Sequence, residues 1–168
     1  MYVSPAAVES GMKRPQPTIE LLNQLLVGEL TAINQYFLAA KIYRQRGLSR
    51  LAHHLRKESL DEMKHAEVLV ERILFLGGLP NLQKLEKIQV AENVPDQMRA
   101  DLALERRAVE KLNDGVKATR QAGDNGTATL LEGLLKAAED HVDWLEAQVG
   151  LIESLGAASY LAQQLRED

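Results

Sequence analysis

Cysteine is absent from the 168-residue chain. That excludes disulfides, iron–sulfur clusters and thiolate zinc sites, and it fits a reducing cytoplasm, the expected location. Aromatic residues make up only 4%, and the β-branched residues recur at helical rather than alternating spacing, so strand signals are nearly missing. No apolar run approaches the roughly 20 residues of a membrane span, and none of signal-peptide length stands near the N-terminus. A large excess of either sign of charge is also missing. Lys+Arg 20 against Asp+Glu 24 gives a formal net charge of −4. With no basic face, nucleic acid is not an expected partner.

What the chain does have is four long helical windows. The first runs from about Thr18, read as an N-cap, to Arg46, and stops at Gly47. The second runs from about Ser49 to Leu76 and is ended by Gly77, Gly78 and Pro80. The third starts near Pro95, a suitable first-turn residue, and ends around Gly123. The fourth spans about Thr127 to Leu155 and stops at Gly156, and Ala157 to Leu165 forms a short fifth. Met1 to Pro17, with three prolines, is expected to be a flexible extension, leaving one domain over 18–168.

The four main helices have similar lengths, about 40 Å each at 1.5 Å per residue, which suits side-by-side packing. The first and third connections are short, so each joins an antiparallel hairpin. The middle one, Gly77 to Val94, is long enough to run the length of a bundle. The expected fold is therefore an all-α four-helix bundle with one long crossover.

Steps of three and four residues mark the inward face of each helix. They select Leu22, Leu26, Glu29, Ile33, Tyr36 and Ala40, then Leu51, Leu55, Glu58, Glu62, His65 and Leu69. The third helix contributes Met98, Leu102, Glu105, Val109, Leu112 and Val116. The fourth contributes Leu131, Leu134, Ala138, His141, Leu145 and Ile152, with Gln148 or Val149 between the last two.

Most of these residues are apolar, as a core requires. Glu29, Glu62, Glu105 and His141, with His65 one turn past Glu62, stand out near the helix middles. A lone glutamate on such a stripe is ordinarily a surface residue, and a lone Glu-x-x-His means little. Three carboxylates and two imidazoles in step across four helices are different. A buried carboxylate costs several kcal/mol unless paired or bound to metal, and no Lys or Arg shares the stripes. Two divalent cations would supply the missing charge. Four-helix carboxylate proteins use one Glu from each of two helices and Glu-x-x-His from each of the other two. Here Glu29 and Glu105 are the single carboxylates and Glu62-Met63-Lys64-His65 is one complete motif. The other reads Ala138-Glu139-Asp140-His141, with alanine in the place of the glutamate. Such ligands suit iron or manganese, and also zinc.

From about Thr18 onward the chain resembles bacterioferritin. The resemblance is carried by Gly28-Glu29-Leu30 with Ala32-Ile33-Asn34-Gln35-Tyr36-Phe37, by Asp61-Glu62-Met63-Lys64-His65-Ala66, and by Ile73-Leu74-Phe75-Leu76 leading to Gly78-Leu79-Pro80-Asn81-Leu82. Asp101-Leu102-Ala103-Leu104-Glu105 and His141-Val142-Asp143-Trp144-Leu145-Glu146 complete it. It implies a ferritin-like fold and a shell of twenty-four subunits that oxidises ferrous iron and stores a ferric mineral. Glu29, Glu62, His65, Glu105 and His141 match ferroxidase ligands, and Glu62 matches a carboxylate bridging both irons. The other bridging glutamate falls on Ala138. Tyr36 matches a tyrosine beside the di-iron site; taken alone, it is a buried aromatic whose hydroxyl needs a partner.

Met63 lies about 100° around the helix from Glu62 and faces outward. By itself it would be a methionine filling a subunit interface. The resemblance makes it an axial ligand of haem b, held between two subunits by one such sulfur from each, so haem binding implies a two-fold dimer. A histidine that the family often carries near the match of Asp61 is Lys57 here, and an ammonium cannot ligate iron.

Two readings follow from Ala138. In one, the site is impaired, and the chain is the haem-bearing partner of a paralogous subunit in a mixed shell, with a ferredoxin-type donor supplying electrons for iron release. In the other, Glu139 or solvent replaces the lost ligand and the homomer is a full ferroxidase. A di-iron peroxidase of rubrerythrin type is a third, but those usually show two intact Glu-x-x-His motifs.

Overall fold

The computed structural model describes residues 15–165. They form α1 (Gln16–Gln45), α2 (Ser49–Phe75), α3 (Val94–Gln121), α4 (Asn125–Leu155) and α5 (Ala157–Ala162), with no strand among the described residues. Residues 1–14 of the expected N-terminal extension lie outside the description. Its last part is helical: α1 begins at Gln16 with Pro15 as cap and Pro17 in the first turn. A first-turn proline gives up only an N–H that has no helical partner. Thr18, expected to cap this helix, is instead buried inside its first turn. The fifth helix is shorter than expected and ends at Ala162.

Glycine in the left-handed region ends α1, α2 and α3 at Gly47, Gly77 and Gly123, and the residue after each bonds back into the last turn. Leu48 N–H donates to Tyr43 O, Gly78 to Ile73 O and Asp124 to Thr119 O, each at 2.9 Å. Gly78 is tight for a different reason. A Cβ there would stand 2.6 Å from Ile19 Cγ2 and 3.0 Å from Ile73 Cγ2. Gly78→Ala is expected to cost about 1–3 kcal/mol by overpacking, seen as a lower guanidinium midpoint at an unchanged slope.

α1 pairs with α2 and α3 with α4 as antiparallel hairpins. The crossover between them runs along α1, held by side chains that accept its backbone N–H groups. Asn23 accepts from Asn81 at 2.8 Å, Thr31 from Glu86 at 2.9 Å and Gln35 from Gln89 at 2.9 Å. Gln97 on α3 accepts from Ala91 at 2.8 Å. Asp101 then ties α1 to α3, accepting from Gln35 at 2.7 Å and Gln97 at 2.9 Å. At the far end Arg72 of α2 donates to Asp124, the cap of α4, and to Thr127, both at 2.8 Å.

The core is divided. One apolar cluster gathers Tyr36, Leu51, Leu55, Met98, Leu102 and Leu145. The other gathers Leu22, Leu26, Leu69, Ile73, Leu112 and Leu131. Along every main helix the residues between the two clusters include a buried acid or imidazole: Glu29, Glu62, Glu105 and His141. Apolar burial on either side fixes the helices and thereby forces these groups to one level. Ile33, Val109 and Val116, expected to be inward, are only partly buried at the edge of the second cluster.

Candidate metal centre

Each helix brings its group to the middle layer through the three-and-four spacing that buries its apolar neighbours. On the α2 side His65 Nδ1 lies 2.8 Å from Glu62 Oε2 and 3.6 Å from Glu29 Oε2. Across the layer His141 Nδ1 lies 3.1 Å from Glu105 Oε1, 3.6 Å from Glu58 Oε2 and 4.0 Å from Glu62 Oε1. The 3.1 Å approach is off the line that a hydrogen bond needs, so neither ring nitrogen of His141 has a hydrogen-bond partner. Two groups have ligand atoms within 4.8 Å of one another: Glu29, Glu62 and His65, and Glu58, Glu62 and His141. Glu62 belongs to both.

Tyr36 donates its hydroxyl to Glu105 Oε1 and sets its ring edge-on to His141, centroids 5.3 Å apart. Burial, with Glu105 beside it, holds the Tyr36 pKa well above its ordinary value, so the proton stays on the phenol. Burial pushes Glu62 up to about 7, against the hydrogen bond from His65. Burial opposes charge on His65, but the Glu29 and Glu62 carboxylates outweigh it and push that pKa up to about 10. His141 is raised the same way: Glu105, Glu58 and Glu62 overcome the effect of burial. Protons thus neutralise part of the negative charge in this buried layer.

Ala138 lines the same cavity as Glu29, Glu62, His65 and Glu105, which opens between α1 and α3 past Gly28, Arg107 and Lys111. Its methyl stands where a Glu-x-x-His pattern would bring a carboxylate. Glu139 is exposed and lines neither this cavity nor the cleft on the other side of the layer. That cleft lies between α2 and α4 and is lined by His54, Lys57, Glu58, Asp61, His141 and Trp144, among others. Asp61 is occupied there. Lys57 donates to it at 2.8 Å and Lys64 at 2.6 Å, and those bonds hold its pKa down to about 2.

Sequence reasoning placed Glu58 on the inward stripe but gave it no part in the site. Its three-residue step from Leu55 and four-residue step to Glu62 were the signal. His54 was missed altogether. It stacks on Trp144, centroids 3.6 Å apart, and burial pushes its pKa down to about 4, so it is neutral at pH 7. No spacing rule marked it, because the stack joins two helices.

Met63 is on the flank of α2, about 100° around from Glu62, and 52% exposed, with Leu60 and Leu74 also exposed on the same outward stripe. A half-exposed thioether among apolar neighbours, outside the cavity that Ala138 lines, has the donor chemistry of a soft axial ligand.

A four-helix bundle with a long crossover and a buried carboxylate–histidine layer is the architecture of the ferritin-like metal proteins. The family model "Ferritin-like domain" matches residues 19–155. The chain is 44% identical to the bacterioferritin of Streptomyces coelicolor over 93% of both chains. It is 42% identical to that of Mycobacterium avium over 90% of this chain and 96% of the relative. It is 38% identical to that of Rhodobacter capsulatus over 89% and 92%. The chain belongs to the bacterioferritin family. That family stores iron, oxidises ferrous iron and forms oligomeric shells, and no helix among the described residues is long and apolar enough to cross a membrane.

Proposed function

We propose that this chain is an iron-storing shell subunit that carries haem at Met63 and whose own ferroxidase centre lacks its second bridge. The observation that carries this reading is the position of Ala138, inside the cavity that Glu29, Glu62, His65 and Glu105 line. Ferrous iron is the substrate. Glu29 and His65 hold one ion and Glu105 and His141 the other, with Glu62 between them. Tyr36, donating to Glu105, orients that carboxylate. In the reaction each of two ferrous ions loses one electron. The pair reduces dioxygen, with two protons, to hydrogen peroxide, or reduces hydrogen peroxide, with two protons, to two waters.

A single bridge leaves the separation of the two irons poorly fixed, whereas two-metal sites hold their ions about 3.5–4 Å apart. Binding without fast oxidation follows. Such a subunit is useful in a mixed shell, where a paralogue with a complete centre supplies oxidation. Haem between two copies of Met63 supplies one-electron transfer to the stored mineral when bound, with a ferredoxin-type protein as donor. The exposed Glu139 offers no support for the reading in which it replaces the missing ligand.

The test is iron uptake by the purified homomer, followed as oxidation rate and metal occupancy together. Uptake with slow oxidation is expected. Rapid oxidation of two irons per subunit would remove the impaired-centre reading, and absence of uptake would remove storage.

Proton competition gives a second check. His65 and Glu62 titrate at about 10 and about 7 without metal, so a cation that binds at neutral pH must displace protons. Binding therefore weakens as pH falls. With His65 protonated below about 10 and Glu62 below about 7, occupancy is expected to decline steadily as pH falls through neutrality. Calorimetry in buffers of different ionisation enthalpy should count at least one proton released per subunit at pH 7. Occupancy constant down to pH ~4 would contradict this ligand set.

A further inference from the structure

We infer that Glu58 is the fourth carboxylate of the centre, a terminal ligand for the cation on the His141 side. It takes over the charge lost at Ala138, though not the bridge. This rests on the iron-binding reading above and adds a ligand to it.

Glu58 stands on α2 one turn before Glu62, with its side chain 15% exposed and Oε2 3.6 Å from His141 Nδ1. One ligand atom each from Glu58, Glu62 and His141 lie within 4.8 Å of one another. Ligands bonded at roughly 2.0–2.2 Å to one cation are separated by distances of that order, so small side-chain movements complete the site. His141 points to a ligand independently. Its side chain is 4% exposed, yet both ring nitrogens lack a hydrogen-bond partner. A buried imidazole left so is costly unless something else occupies the space it faces.

Charge decides between the acids nearby. Glu29, Glu62 and Glu105 carry three negative charges against the four positive charges of two divalent ions. A fourth carboxylate balances them. Glu139 is exposed. Asp140 is taken by Lys136, and Asp61 by Lys57 and Lys64. Glu58 has looser neighbours, His54 Nε2 and Lys57 Nζ, each at 3.7 Å. Lys57 keeps Asp61 as its closer partner at 2.8 Å, so Glu58 can turn to a cation without stranding it. Glu58 is grouped with His141 and Glu62 and not with Glu29 and His65. It therefore serves one ion only.

Zinc, which undergoes no redox chemistry, separates binding from oxidation. Metal-stripped shells of wild type, Glu58→Gln and Glu139→Gln would be titrated with zinc by calorimetry. Zinc-soaked wild-type crystals would be mapped by anomalous scattering. Two zinc ions per wild-type subunit are expected in the bundle, one with a Glu58 oxygen at about 2.0–2.2 Å. Glu58→Gln should lose the ion beside His141 and keep the one held by Glu29, Glu62 and His65. Glu139→Gln should keep both. If Glu58→Gln binds two zinc ions with unchanged affinity, Glu58 is not a ligand and the iron-binding reading stands. A wild-type map with zinc on His141 and Glu58 outside its coordination likewise removes Glu58 from the ligand set, even if the variant does not assemble. A wild-type bundle that takes up no zinc overturns both.

Discussion

Ala138→Glu is expected to speed the fast phase of ferrous oxidation by about tenfold or more, roughly 1.4 kcal/mol or more off the barrier. The side chain at 138 lies one turn before His141 on the inward face of α4 and is buried in the cavity that Glu29, Glu62, His65 and Glu105 line. A glutamate there adds the second bridge and fixes the separation of the irons. Alanine leaves room for the longer side chain. With Glu58 in place the variant centre holds five carboxylates, so the gain should appear in oxidation rate more than in affinity. The metal-free shell should lose some stability, because another acid is buried beside Glu29, Glu62 and Glu105. Stopped-flow oxidation at equal shell concentration, with two irons per subunit, measures the effect. Rapid wild-type turnover with no gain in the variant would remove the slow-subunit reading.

Met63→Leu is expected to abolish haem binding while leaving the shell assembled, and Met63→His to shift the Soret band rather than remove it. Leucine keeps the apolar volume of the exposed stripe that Met63 shares with Leu60 and Leu74 but has no atom that can ligate iron. Histidine ligates through nitrogen, which changes the spectrum. Because the substituted side chain is half exposed and outside both core clusters, neither change should unfold the bundle. Absorption spectra of shells saturated with haem, with particle size checked by light scattering, report both results. Wild-type protein that binds no haem at its two-fold interface would contradict the assignment of Met63.

The bundle itself was legible because its signals are local. Gly47, Gly77, Gly123 and Gly156 were expected to end the four long helices, and all four take positive φ at or just past the helix ends. The α1 start was misplaced because a threonine before an apolar run resembles a cap, while Pro15 is the cap and Pro17 lies in the first turn. The inward placement of Glu29, Glu62, Glu105 and His141 was legible because burial of the apolar positions around them leaves their side chains no other direction. Glu58 sat on the same stripe and gained no role, since its meaning depends on a histidine more than eighty residues later in the chain.

The sequence by itself determined four helices of matched length, a long connection able to cross a bundle, and a level at which acids and imidazoles replace apolar residues. These follow from periodicity and from residues that stop helices, which act over a few positions. It also determined that one acid of the expected pattern is an alanine. Only the tertiary structure decided which of these side-chain atoms come within reach of one another. Distances such as 3.6 Å between Glu58 and His141 arise from how α2 and α4 pack. It likewise showed Asp61 held by Lys57 and Lys64 and His54 stacked on Trp144. Spacing along one helix gives direction around its axis, but packing against the other helices sets the separations on which metal chemistry depends.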